Sequence, residues 1–171
     1  MKTEINPQET LRAEAFELWM TSPMPMVTLT RTFDVSRVLK ASKKRGAKFN
    51  ALLCWCIGKA ASQIKEFYLL PEQGKFFEYD RIAINVIVNN SKGGINSCDI
   101  PFTDDINEFA KEYDTLTAET SAQCKSSFLD DYMIIGTSAM IQSELDSIIN
   151  QYTDKFCNPM VMWGRYRKHW F

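Results

Sequence analysis

Residues 51–57 read Ala-Leu-Leu-Cys-Trp-Cys-Ile, apolar at every step. A helix built on that stretch has no polar face to turn to water, so other elements must enclose it on most sides. The pattern predicts such a helix over 51–67, following Asn50. Residues 82–88, Ile-Ala-Ile-Asn-Val-Ile-Val, form a β-branched run suited to the centre of a sheet. One enclosed helix and one enclosed strand define a core, and 171 residues are enough to close it as a single domain.

The other elements follow from local signals. Leu11, Ala15, Leu18 and Trp19 recur at helical spacing and predict a short amphipathic helix over 8–20. Thr21-Ser22-Pro23-Met24-Pro25 ends it, because two prolines so close together disfavour helix. Residues 26–33 alternate, with Val27, Leu29 and Arg31 against Thr28, Thr30 and Thr32, which predicts a half-buried strand. Asp34 or Ser36 caps a helix reaching about Lys44, and Gly46 stops it. Gln73-Gly74-Lys75 turns a hairpin between Tyr68-Leu69-Leu70 and Phe76-Phe77-Glu78-Tyr79. Lys92-Gly93-Gly94 leads into a strand over 95–100, and Thr103-Asp104-Asp105 caps a helix over 106–121. Further strands are expected over 132–141 and 155–166. Strands and helices mix without regular alternation, so the expected class is α+β: a large mixed β-sheet flanked by helices, in one domain spanning residues 1–171.

Composition removes several classes of function. A net charge of −1 supplies no field for nucleic acid. No apolar stretch reaches the roughly twenty residues that span a bilayer, and residues 1–7 lack the apolar part of a signal peptide. No membrane partner is expected, and a cytoplasmic location is. The five cysteines, Cys54, Cys56, Cys98, Cys124 and Cys157, contain no Cys-x-x-Cys pair and read as reduced thiols rather than a disulfide frame or zinc site. Asp104-Asp105 and Asp130-Asp131 are adjacent acids at element starts, where capping explains them better than a metal does. No metal is expected. The single histidine, His169, lies in the aromatic and basic run 163–171, so a histidine-based site has little room in the chain.

Four stretches resemble type-A chloramphenicol acetyltransferases. Leu11-Arg12-Ala13-Glu14-Ala15-Phe16 is similar to that family's Arg-x-Glu-x-Phe helix. Phe33-Asp34-Val35-Ser36, followed by Leu39-Lys40, Lys43-Lys44, Lys48-Phe49 and Ala51, resembles its hydrophobic-Asp-Ile/Val-Ser/Thr, Leu-Lys, Lys-Lys and Lys-Phe series. Glu78-Tyr79-Asp80-Arg81-Ile82 resembles Glu-x-Trp-Asp-Ser-Val, and Met162-Trp163-Gly164-Arg165-Tyr166 resembles the Trp-Gly-Lys-Tyr strand. The matches are collinear over essentially the whole chain.

The resemblance implies a homotrimeric, acetyl-CoA-dependent O-acetyltransferase of the antibiotic-resistance type, with sites between subunits and a small hydroxylated acceptor. In that family a histidine of His-His-x-x-x-Asp-Gly takes the acceptor's hydroxyl proton, and a serine hydroxyl stabilises the oxyanion. That motif follows the Trp-Gly-Lys-Tyr strand. The chain reaches Phe171 without it, so the expectation is a C-terminally incomplete acyltransferase, inactive as it stands. His169 does not match the catalytic histidine. Arg12 matches an arginine that pairs with the motif's aspartate. Lys48 and Arg165 fall where basic residues meet a phosphate of CoA, while Leu18, Trp19, Met24 and Met26 fall near the acceptor pocket. Gapless counting puts Gly136 at the oxyanion serine, leaving Thr137 and Ser138 as hydroxyl candidates. A degenerate, non-catalytic relative that binds a ligand or partner is the alternative.

Overall fold

The computed structural model describes residues 1–150 and 157–167. Strand β1 (Lys2–Ile5) leads through a 3-10 turn at Pro7–Glu9 to helix α1 (Ala13–Met20). Helices α2 (Ser36–Arg45) and α3 (Phe49–Ala61) follow, then strands β2 (Leu69–Glu72), β3 (Lys75–Tyr79), β4 (Ile82–Asn89) and β5 (Ile95–Pro101). Helix α4 (Ile106–Gln123) precedes strands β6 (Met133–Met140) and β7 (Met160–Gly164).

The strands form two sheets. A small antiparallel sheet has the order β1-β3-β2, and a mixed sheet has the order β5-β4-β6-β7. In the mixed sheet β4 pairs antiparallel with β5 and parallel with β6, and β6 pairs parallel with β7. This is the expected α+β class, with strand 82–88 at its centre.

Helices α3 and α4 pack together and cover one face of the mixed sheet. Leu52, Ile84, Ile100, Phe109 and Ile135 are almost fully buried there. Each such side chain withdrawn from water contributes about 1.5–3 kcal/mol before chain entropy is set against it. The apolar run of residues 51–57 therefore lies in a helix enclosed by sheet and helix. Phe16 of α1 seats on Phe76 of the small sheet, with ring centroids 5.0 Å apart.

Local signals explain the boundaries. Gln73 and Gly74 both have positive φ, which matches the two-residue hairpin between β2 and β3. Asp105 caps α4 by accepting from the backbone N–H groups of Asn107 (2.7 Å) and Glu108 (3.0 Å). Those two hydrogen bonds also hold its pKa below the ordinary carboxylate value.

Several expectations are corrected. Residues 26–33 form no strand; Val27, Leu29 and Phe33 stand 67%, 86% and 77% exposed. Their alternation marks two faces, but among the described residues the segment pairs with no strand of either sheet. The first helix starts at Ala13 rather than 8, because Asn6 and Pro7 start a separate 3-10 turn. The buried helix ends at Ala61, where the Ser62 hydroxyl donates back to the Lys59 carbonyl. Strand β1 was not foreseen; it is held by β3 and by Lys2, whose ammonium pairs with Glu72 and lies 4.2 Å from the Phe77 ring centroid. Of the strand expected over 155–166, residues 155 and 156 lie outside the described residues, as does His169.

Candidate functional site

Two segments far apart in the chain, each carrying a cation, meet at one place. Lys48 is the N-cap residue of α3, in extended backbone, and its ammonium lies 2.9 Å from Asp114 of α4. Arg165 directly follows β7. Phe49 and Tyr166, the residues beside these cations, meet with ring centroids 5.6 Å apart. The chain segments carrying Lys48 and Arg165 are thus neighbours.

The turn after β6 clasps the end of β7. The Arg165 N–H donates to the Ser143 carbonyl (2.7 Å), and its guanidinium lies 3.2 Å from Glu144. Glu144 is shared with Arg167 at 3.1 Å, and Arg167 also pairs with Asp146 at 2.9 Å. Gly164 makes this close approach possible: a β-carbon there would lie 2.8 Å from both the Leu145 Cγ and the Ser143 carbonyl oxygen.

The profile of the chloramphenicol acetyltransferase family matches residues 2–169. The chain belongs to that family. A solved chloramphenicol acetyltransferase structure is similar with a TM-score of 0.82 and 19% identity, covering 99% of this chain and 84% of that one. At that identity the likeness speaks for the fold. No curated protein sequence matched the chain.

Set in the chloramphenicol acetyltransferase fold, the expected residues separate. Thr137 is 2% exposed, and its hydroxyl donates inward to the Asn85 carbonyl (2.7 Å) with the Cys54 sulfur at 3.8 Å. That hydroxyl is committed to the chain's own backbone. Ser138 lies on the opposite face of β6, in register with Met162. Gly136 pairs with Met160, and its N–H donates to the Pro159 carbonyl (2.9 Å). Ser143, an exposed turn residue, accepts the Arg165 N–H at its carbonyl and donates its own N–H to the Met140 carbonyl (3.0 Å).

Leu18 and Trp19 end α1 and Met24 and Met26 lie in the following loop; Leu18, Trp19 and Met24 are exposed. Arg12 holds the N-cap position of α1, exposed, and its side chain makes no ion pair among the described residues.

Cys54 and Cys98 are buried and Cys56 is half-buried. Burial raises the Cys54 pKa to about 12 and also raises those of Cys56 and Cys98. These thiols stay protonated near neutrality and are poor nucleophiles. Asp99 of β5 is 3% exposed and accepts from Asn85 Nδ2 (2.7 Å) and the Leu129 N–H (2.9 Å). No described helix is long and apolar enough to cross a membrane, and no cluster of three or more His, Cys, Asp or Glu suits a metal among the described residues.

Proposed function

We propose that this protein is an O-acetyltransferase that takes acetyl-CoA as acyl donor and a small hydroxylated molecule as acceptor. The observation that carries the reading is the contact of Phe49 with Tyr166, which makes the segments bearing Lys48 and Arg165 neighbours. It supports a paired cationic site, a lysine point charge beside an arginine fork, suited to the phosphates of CoA. Leu18, Trp19, Met24 and Met26 would supply an apolar, polarizable surface for the acceptor. Like its family, the protein would work as a homotrimer, in the cytoplasm and without a metal.

Acetyl transfer requires a base to take the acceptor's hydroxyl proton while the oxygen attacks the thioester carbonyl. The tetrahedral oxyanion then collapses, and the CoA sulfur leaves and is protonated. Here the Thr137 hydroxyl is enclosed and committed to the Asn85 carbonyl, which leaves it poorly placed to serve the oxyanion. Ser138 remains the candidate on the sheet itself. The 171 residues contain no His-His-x-x-x-Asp-Gly, and their one histidine, His169, does not match that motif. The 171-residue chain should therefore bind CoA without turning it over.

Gly136 at the counted serine position favours a second reading, a relative that keeps the fold and a ligand site but not the chemistry. Thiol release from acetyl-CoA, measured for this chain and for one extended through any in-frame His-His-x-x-x-Asp-Gly, separates the two. Turnover by the extended form alone supports the transferase. CoA binding without turnover by either form supports the degenerate relative, and absence of CoA binding by both contradicts each reading.

A further inference from the structure

Both cations assigned to phosphate are already engaged by carboxylates of this chain. Lys48 faces Asp114 at 2.9 Å, with side chains 62% and 49% exposed. Arg165 faces Glu144 at 3.2 Å, likewise exposed. Pairs this open to solvent contribute little stability, so the fold does not require them. A phosphate offers more charge and more acceptor oxygens than a carboxylate, and it can replace one on a lysine or a guanidinium.

The arrangement around Glu144 is asymmetric in a useful way. Its carboxylate is divided between Arg165 and Arg167, and Arg167 keeps a second partner in Asp146 at 2.9 Å. When Glu144 swings off, Arg167 stays neutralised and Arg165 is released. On the other side, Asp114 belongs to α4 whereas Lys48 sits at the start of α3, so the pair spans two helices that do not need it to pack.

We propose that Asp114 and Glu144 are built-in competitors for the phosphates of a CoA-type ligand, each holding its cation until a phosphate displaces it. The inference rests on the assignment of Lys48 and Arg165 to CoA. It adds that the two carboxylates lower the affinity of the site and keep its cations from capturing weaker anions.

The test is calorimetric titration of CoA into the wild-type protein, Asp114→Asn and Glu144→Gln at low ionic strength, where exposed charges are least screened. Asp104→Asn is the control. It removes a more exposed carboxylate, 2.8 Å from Lys59, and changes net charge by the same amount. Each of the first two substitutions should tighten CoA binding about two- to fivefold, the range an exposed ion pair can contribute. The control should match wild type. Wild-type binding with no gain in either variant, or an equal gain in Asp104→Asn, overturns the competitor role while leaving the CoA assignment standing. If no form binds CoA, the functional assignment itself falls, and the competitor role with it.

Discussion

Asp99 depends on two donors for its place in the sheet, Asn85 Nδ2 and the Leu129 N–H. Asp99→Ala leaves both buried donors unanswered and should cost about 2 kcal/mol, read as a lower urea midpoint. Asp99→Asn should cost less, since an amide can still accept the Leu129 N–H. Burial raises the Asp99 pKa against the pull of those hydrogen bonds, and the charge of Asp130 adds to the rise. A carboxyl whose folded pKa exceeds its unfolded one contributes fully below the unfolded value and loses that contribution as pH rises through the folded one. The stability difference between wild type and Asp99→Asn should therefore shift against wild type as pH rises out of the acidic range. Parallel urea midpoints across that range would contradict it. Asp99 was not legible in the sequence, because its significance depends on strand register with Asn85 and on a loop returning thirty residues later.

At the scale of elements, periodicity and caps served well where the partner surface is local. The apolar run in α3, the hairpin at Gln73-Gly74 and the Asp105 cap all encode their structure within a few residues. Residues 26–33 carried an equally regular alternation and formed no strand, because alternation by itself does not supply a pairing partner. The clasp of residues 143–146 on β7 was invisible for the opposite reason, since its signals lie on two separate segments. Gly164→Ala tests that clasp. The added methyl meets Leu145 and the Ser143 carbonyl, so the turn must move off Arg165. A loss of about 1–3 kcal/mol is expected, measured by thermal unfolding. An unchanged midpoint would show that the turn yields freely and does not position Glu144.

For the whole molecule, family and fold agree, and family-level expectations about assembly can be tested directly. Leu11, before α1, and Val27, Leu29 and Phe33, in the segment after it, are large apolar side chains left exposed. A trimer of the family's kind would cover such surface, so light scattering should report about three times the 19.7 kDa chain mass. A monomer would remove the inter-subunit site from the reading. The central claim, that Lys48 and Arg165 form a site for CoA phosphates, is tested most directly by titrating CoA into wild type and the Lys48→Ala/Arg165→Ala double variant. The expected result is saturable wild-type binding, weakened about tenfold or more when both charge-assisted contacts are removed. Equal affinity in the two proteins, or no binding by wild type, would contradict it.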